Sequence, residues 1–185
     1  MIILASGSPR RRELLEQIDC KFCCETAHVE EVKAGLPEKV VLKNSLIKAQ
    51  DIAVKHKDAL IIGADTIVAV NGVIYGKPQD EDDAFRMIRT LAGKKHLVYT
   101  GLSLVCNGKM WQDFVVTEVS MADMTDMEIK SYIKTGEPMD KAGAYAVQGK
   151  SAVFIKAING SYSNVVGLPL HKLYELSQQA GFSLM

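Results

Sequence analysis

A stretch near the N-terminus combines residue types that suit an anion-binding site. Ser6-Gly7-Ser8-Pro9-Arg10-Arg11-Arg12 follows the apolar run Ile2-Ile3-Leu4 and precedes a helical pattern. The N-terminus of a helix offers free N–H groups and favours negative charge, so three arginines are out of place there unless they bind an anion. Guanidinium groups bind phosphate well. The stretch therefore predicts a phosphate site, and the alternative is an ordinary solvated helical turn.

The three arginines have different predicted roles. Arg12 precedes Glu16 by four residues, so a surface ion pair on the helix is its simplest interpretation. Arg10 and Arg11 lie nearer the helix side that should face the core. We therefore expect these two side chains to point into a site at the start of the helix.

Asp65 is the best candidate for a catalytic residue. The run 60–70 is almost entirely apolar, as expected of a central strand that is covered on both faces, and Asp65 interrupts it beside Gly63 and Ala64. A carboxylate in such a strand is costly unless it is paired or binds a metal. The alternative is a structural aspartate that is bonded to the backbone, to a lysine or to an arginine.

Three other charged positions could complete a site around this carboxylate. The pair Glu30-Glu31 lies in a predicted loop, and Mg²⁺ prefers one or two carboxylates together with phosphate oxygens of a substrate. Lys48 lies on the inner stripe of a helix predicted over 38–56. Lys77 follows a predicted hairpin that brings the chain back towards Asp65. Solvent exposure is the usual alternative for such loop carboxylates and lysines.

The elements that must position these residues alternate between strands and helices. Periodicity and turn signals predict strands over 2–5, 20–25, 60–70, 73–75, 96–106, 110–120 and 152–158, and helices over 9–18, 38–56, 80–91, 126–134 and 168–180. The segments 137–150 and 159–164 are rich in small and polar residues and are predicted as functional loops. An α/β fold with a mixed sheet follows, in a single domain over residues 1–185.

Composition restricts the classes of partner. The formal net charge is zero, so nothing favours long nucleic acid, which requires a basic surplus. No apolar run approaches the length of a membrane span and no targeting segment is recognisable, so we expect a cytoplasmic protein without a membrane partner. Cys20 and Cys23 form a CxxC pattern, but a second such pair is missing. Cysteines that act as small apolar strand residues are the better interpretation.

Taken together, these motifs resemble the Maf family of nucleoside triphosphate pyrophosphatases. The matching segments follow one another along nearly the whole chain: Ser6–Arg11, Glu30-Glu31, Lys48-Ala49, Gly63–Thr66, Gly76–Pro78, Asp140–Tyr145, Gln148-Gly149, Gly160–Tyr162 and Val165–Leu170. Each segment alone is a weak signal, whereas the ordered set is specific. One departure is Ala146-Val147, where the family commonly has Gly-Ile.

The resemblance implies a fold and an activity. The expected fold is a mixed, strongly curved central sheet flanked by helices, with two lobes around a cleft, similar to inosine triphosphate pyrophosphatases. The expected reaction is metal-dependent hydrolysis of dTTP, UTP or modified pyrimidine nucleotides to the monophosphate and pyrophosphate, with Mg²⁺ or Mn²⁺. The alternatives are a 7-methyl-GTP pyrophosphatase of the same family and a non-catalytic nucleotide-binding regulator of cell division, since the family is linked to septum formation.

The resemblance also implies roles for individual residues. Asp65 would act as general base and would bind the metal together with Glu31, while Lys48 and Lys77 would neutralise phosphate charge. The residues expected to bind substrate are Ser6, Arg10, Arg11, Thr66 and Gln148. Arg11, Thr66 and Gln148 occupy the positions that select the nucleobase in this family. A homodimer is consistent with this resemblance.

Overall fold

The structure, a computed structural model, describes residues 1–184 and is built on a mixed seven-stranded sheet. The strands are β1 (Ile2–Leu4), β2 (Phe22–Cys24), β3 (Leu60–Val70), β4 (Val73–Tyr75), β5 (Lys95–Cys106), β6 (Lys109–Met121) and β7 (Ile155–Asn159). The helices are α1 (Pro9–Glu16), α2 (Pro37–Ala53), α3 (Glu81–Leu91), α4 (Asp126–Ile133), α5 (Tyr162–Val166) and α6 (Leu170–Ala180). Within this range no helix has both the length and the apolar character needed to cross a membrane.

The sheet has the order β2-β1-β3-β5-β6-β7, and β4 is added beside β3. β1 is parallel to both β2 and β3, whereas the pairs β3–β4, β3–β5, β5–β6 and β6–β7 are antiparallel. The prediction of an α/β fold with a mixed sheet is therefore confirmed. Strong curvature of the sheet stays a prediction.

One edge of β3 has no neighbouring strand in its middle part, and this gap forms the interrupted edge at which the candidate site lies. β5 pairs with one edge of β3 over residues 61–69, so β1 and β4 share the other edge. Pairing with β1 ends at Ile62, and pairing with β4 covers only Val68 to Val70. On that edge residues 63–67 thus have no neighbouring strand in the described chain. Asp65 lies at the centre of this gap.

Apolar side chains form two large buried clusters that meet at β3. One cluster combines the first half of β3 with β1, α1 and α6. The other combines the second half of β3 with α3 and α4. Since the interrupted edge of β3 lies between these clusters, the arrangement agrees with two lobes that flank a cleft.

Helix α2 lies directly on β3 and β5 because both strands have a glycine beneath it. A Cβ atom on Gly63 would lie 2.1 Å from the carbonyl oxygen of Ser45, and one on Gly101 would lie 2.4 Å from that of Val41. Real Cβ atoms do not approach so closely, so only glycine permits this contact. The contact fixes the inner face of α2 over the centre of β3.

Several predicted boundaries differ from the structure, and two segments differ most. The strand predicted over 152–158 begins only at Ile155, because the chain first forms a 3₁₀ helix over Lys150–Phe154. The loop predicted over 159–164 contains the start of helix α5, where the Ser161 side chain accepts a hydrogen bond from the N–H of Asn164. In both places the chain forms short hydrogen-bonded turns where the residue pattern predicted a strand or a loop.

The cysteines also differ in part from the prediction. Cys20 is buried as a small apolar side chain, as expected. Cys23 and Cys24 are exposed, because β2 is three residues long and lies at the edge of the sheet. Their thiols therefore do not belong to the core.

The contact between α2 and β5 gives a stability prediction. Gly101→Ala should lower the free energy of unfolding by about 1–3 kcal/mol, because an added methyl group must push the helix backbone away from the strand. Gly76→Ala is the matched control, since no atom lies within 4 Å of its added Cβ. Urea denaturation of both variants checks the expectation. Equal stability of Gly101→Ala and the wild type would contradict the close contact.

Candidate functional site

A cleft of about 830 Å³ opens at the interrupted edge of β3. Its walls come from the segment after β1, from α2, from the residues after β4 and from the loop around 140–148. Every residue that the sequence assigned to the site lines this cleft: Ser6, Arg10, Arg11, Glu31, Lys48, Asp65, Thr66, Lys77 and Gln148. The fold thus brings together segments that are far apart in the sequence, while the role of each residue stays a prediction.

Lys48 joins the two predicted catalytic carboxylates. Its Nζ lies 2.6 Å from Asp65 Oδ1 and 2.7 Å from Glu31 Oε1. Asp65 is buried, with 5% of the residue exposed, whereas about half of the Glu31 side chain is exposed. The ion pair with Lys48 compensates the cost of burying Asp65. It explains how a charged residue is tolerated in an apolar central strand.

Glu31 is held in its ionised form by the charges around it. Partial burial acts to raise the pKa of its carboxyl group. The hydrogen bond and charge of Lys48 act in the opposite direction, as do the charges of Lys77 and Arg11. The pKa of Glu31 therefore lies below its usual value, and the group is negatively charged at neutral pH.

The sequence prediction missed Asn44, which holds the other side of Asp65. Asn44 Nδ2 donates to Asp65 Oδ2 at 3.0 Å and to the Val32 carbonyl oxygen at 3.0 Å, and Asn44 Oδ1 accepts from the Val32 N–H at 2.8 Å. The side chain thereby ties the segment that carries Glu31 to the central strand. A signal was present, because Asn44 precedes Lys48 by four residues and therefore lies on the same face of α2.

Arg11 is half-buried in the opposite wall, where its guanidinium is hydrogen-bonded to three oxygen atoms. Its Nε donates to the Gly167 carbonyl oxygen at 2.7 Å, and its two terminal nitrogens donate to Ser6 Oγ and Thr66 Oγ1, both at 3.1 Å. Burial lowers the pKa of the guanidinium, and the charge of Asp65 acts against this effect. Three of the five N–H groups are used, so two remain for a ligand.

Arg10 and Arg12 are both in ion pairs, but with different surroundings. Arg12 pairs with Glu16 at the surface at 2.9 Å, which confirms its predicted role. Arg10 lines the cleft and pairs with Asp140 at 3.1 Å, a contact across 130 residues that the sequence did not indicate. Asp140 also contacts Lys141 at 2.5 Å. The loop around residue 140 is thus tied to the start of α1.

Lys77 and Gln148 line the cleft without a polar partner of their own. Within residues 1–184, no ion pair holds the Lys77 ammonium and no hydrogen bond holds the Gln148 carboxamide. The hairpin β3–β4 returns Lys77 to the level of the gap in β3, as predicted. Both groups are available to a bound ligand.

The donor set for a metal ion is limited to two carboxylates. In the described part of the chain no three His, Cys, Asp or Glu residues are grouped closely enough to hold an ion by themselves. Glu31 and Asp65 already converge on one cation, the Lys48 ammonium. They fit Mg²⁺ or Mn²⁺ only if further oxygen ligands come from a bound molecule, which is how Mg²⁺ commonly binds at phosphate sites.

A buried histidine supports the wall near Gln148. His96 Nε2 lies 2.7 Å from the hydroxyl oxygen of Tyr145, and the two rings meet edge to face. Only 2% of His96 is exposed, and burial lowers its pKa to about 4. The imidazole is therefore neutral at pH 7 and can hold the Tyr145 side chain in place in the cleft wall.

Comparisons with known proteins identify relatives along the whole chain. A family model described as "Maf-like protein" matches residues 1–180. A protein of Dictyoglomus thermophilum named dTTP/UTP pyrophosphatase is 45% identical and is aligned over 100% of this chain and 98% of its own length. Proteins of the same name from Alkaliphilus metalliredigens and Thermococcus gammatolerans are 50% and 40% identical, over 95% and 100% of this chain and 93% and 99% of their own lengths.

A solved structure, that of the Staphylococcus aureus Ham1 protein, resembles the fold distantly. It has a TM-score of 0.49 and 13% identity, and the match covers 66% of this chain and 72% of that one.

His96 gives a prediction for the pH dependence of stability. The unfolded chain binds a proton at His96 below about pH 6.5, whereas the folded protein binds it only near pH 4. Stability should therefore fall as the pH decreases, by roughly 2 kcal/mol between pH 7 and pH 5 from this residue. In His96→Gln this part of the loss should disappear.

Urea denaturation at the two pH values measures the effect. The exposed His171 provides the control, and His171→Gln should keep the full pH dependence of the wild type. An unchanged pH dependence in His96→Gln would show that the imidazole is accessible to protons in the folded protein.

Proposed function

The chain belongs to the Maf-like protein family, and on this premise we propose that it is a nucleoside triphosphate pyrophosphatase acting on dTTP or UTP. It would release the nucleoside monophosphate and pyrophosphate. The relatives that are 40–50% identical over nearly their whole lengths carry this activity in their names, which supports the substrate class.

The observation that carries the proposal is the position of Asp65. A buried carboxylate, held by Lys48 and Asn44, faces a cleft whose other wall is basic. A protein that only binds triphosphate gains little from carboxylates beside the phosphates, since like charges repel. A hydrolase requires such a group, because water must lose a proton as it attacks phosphorus.

The basic residues of the cleft would bind the triphosphate. A triphosphate carries several negative charges, and catalysis of its hydrolysis is mainly a matter of positioning and of charge neutralisation. Arg10, Arg11 and the first N–H groups of α1 approach from one wall, and Lys77 approaches from another. For Arg10 this requires that phosphate competes with Asp140, its present partner.

The chemical step would use Asp65 as general base. Each of its oxygens already accepts one hydrogen bond, from Lys48 and from Asn44, and each keeps a second acceptor position. A water molecule on that position would transfer a proton to Asp65 while its oxygen attacks the α-phosphorus. The bond from this phosphorus to the bridging oxygen would break, and pyrophosphate would leave with its charge neutralised by the lysines.

Glu31 and Asp65 would also hold the divalent cation together with phosphate oxygens. When bound, Mg²⁺ or Mn²⁺ would neutralise charge on the phosphates. The Lys48 ammonium lies between the same two carboxylates, so it competes with the ion for their oxygens.

Three residues would distinguish the nucleobase. Arg11 and Thr66 are hydrogen-bonded to each other and form a fixed surface in the wall of the cleft. The free carboxamide of Gln148 can donate to a carbonyl and accept from an N–H group, and uracil and thymine present both. Modified pyrimidines that keep this edge would also fit.

A cytoplasmic location and a homodimer stay predictions.

The test of this function is a nucleotide panel with purified protein. dTTP, UTP, 7-methyl-GTP and GTP are each incubated with protein and either Mg²⁺ or Mn²⁺, and pyrophosphate release is followed. The proposal expects fast release from dTTP and UTP. Preference for 7-methyl-GTP would assign the other branch of the family. Binding of nucleotide without any release would favour the regulator of cell division.

Asp65→Asn tests the proposed general base. The amide keeps the shape of the side chain but cannot accept a proton, so kcat for UTP should fall by about 10²–10⁴-fold. Nucleotide binding, measured by calorimetry, should be largely retained. Asp113→Asn removes a carboxylate that is paired with Lys172 outside the cleft, and it should leave turnover unchanged. Near-normal pyrophosphate release by Asp65→Asn would refute the assignment.

A further inference from the structure

Glu137 lies outside the residues that line the cleft, but its carboxylate holds the loop that carries Gln148. Glu137 Oε1 accepts a hydrogen bond from the Tyr132 hydroxyl at 2.8 Å. Glu137 Oε2 accepts one from the Lys150 N–H at 3.0 Å. Each oxygen therefore joins the carboxylate to a different segment, one in α4 and one just after Gln148.

Gly149 shows how closely the loop packs on this carboxylate. A Cβ atom at Gly149 would lie 2.2 Å from Glu137 Oε1. The backbone next to Gln148 therefore rests directly on the Glu137 side chain. A looser loop would leave room for a methyl group at this position.

A second clamp closes the base of the same loop. Ser151 Oγ donates to the Ala146 carbonyl oxygen at 2.7 Å and accepts from the Ala146 N–H at 3.1 Å, and both residues are buried. The Gly149 N–H also donates to the Ala146 carbonyl oxygen, at 3.2 Å. Residues 146–151 thus form a short loop that is held at its base, with the exposed Gln148 at its tip in the cleft.

The clamp that the Glu137 carboxylate forms is anchored in a rigid part of the protein. Tyr132 is 5% exposed and lies on α4 beside Ile129 and Ile133, which belong to one of the two large apolar clusters. Helix α4 begins with a complete capping box formed by Thr125 and Glu128. The position of Glu137 is therefore set by the core and not by the loop itself.

We propose that Glu137 is a positioning residue for base selection, which holds the loop 146–151 so that the Gln148 carboxamide points at the nucleobase. The inference rests on the proposed function, because it concerns selection of the base in the same site. Without the carboxylate, the Tyr132 hydroxyl and the Lys150 N–H lose this acceptor. The loop is then still held at its base by Ser151 but no longer at Lys150, so its tip can shift. The Asp65 side of the cleft keeps all of its contacts.

Three variants separate the clamp from general packing. Glu137→Ala removes both acceptors. Glu137→Gln is the conservative rescue, because its amide oxygen can accept from the Lys150 N–H while its NH₂ donates to the Tyr132 hydroxyl oxygen. Tyr132→Phe removes one hydroxyl and keeps the buried ring, so it tests the clamp even if Glu137→Ala does not fold. The measured quantity is the ratio of kcat/KM for UTP to that for CTP, because cytosine presents an amino group and an unprotonated ring nitrogen where uracil presents a carbonyl and an N–H group.

The expected result is a loss of selectivity with little loss of turnover. In Glu137→Ala the ratio should fall by roughly 10- to 100-fold, the effect that a misplaced group can have, through a higher KM for UTP with kcat within about threefold of wild type. Tyr132→Phe should show a smaller loss, and Glu137→Gln should restore most of the ratio. If Gln148 is first replaced by alanine, Glu137→Ala should have almost no further effect on the ratio.

Glu128→Ala is the control for damage to α4. It removes the capping box at the start of the same helix, lowers stability and leaves the Glu137 contacts intact, so it should keep the wild-type ratio. The inference is overturned if Glu137→Ala and Tyr132→Phe keep the ratio, if kcat/KM falls equally for both nucleotides, or if Glu128→Ala lowers the ratio as much. A wild type that hydrolyses neither nucleotide refutes the proposed function itself, whereas equal hydrolysis of both refutes only this inference.

Discussion

The site depends on one lysine that bridges two carboxylates. Asp65 is buried in the central strand, and Lys48 is the cation that makes this burial tolerable. Removing one partner of a buried pair typically costs about 3–5 kcal/mol, because the remaining charge is left without compensation. Since Lys48 also holds Glu31, the group of three keeps one net negative charge. That negative charge suits a site that binds a further cation, either a metal ion bound to the phosphates of the substrate or the ammonium group of Lys77.

The fold creates this arrangement by two backbone features. The edge of β3 is shared by β1 and β4, and at the gap between them Asp65, Thr66 and Ile67 line the cleft. On one face of the sheet, two glycines let α2 approach so closely that Asn44 and Lys48, one turn apart, reach the two oxygens of Asp65. The segment that carries Glu31 is then fastened to α2 through Val32. Asp65 is thus positioned by strand pairing and helix packing, and the loop that carries Glu31 is held by the hydrogen bonds between Val32 and Asn44.

Much of this could be predicted from the sequence, because the strongest signals are local. An aspartate within an apolar strand, a lysine on the inner stripe of a helix and arginines at a helix start are each visible within about 15 residues. Contacts between distant segments were not predictable in this way, such as those of Arg10 with Asp140 and of Glu137 with Lys150. The 3₁₀ helix over Lys150–Phe154 and helix α5 were missed because such short turns show no periodicity in the sequence. Side chains contact both turns, through Glu137 and Ser151 in the first and through Ser161 in the second.

We propose that this site activates water for attack on the α-phosphorus of a nucleoside triphosphate. Hydrolysis of UTP in water enriched in ¹⁸O, followed by mass spectrometry of the products, tests it directly, because the attacking oxygen stays on the phosphorus that it reaches. Attack on the α-phosphorus places one ¹⁸O atom in uridine monophosphate and none in pyrophosphate. Label in pyrophosphate would mean attack on the β-phosphorus, and label in inorganic phosphate would mean cleavage at the γ-position. Either result would exclude attack on the α-phosphorus.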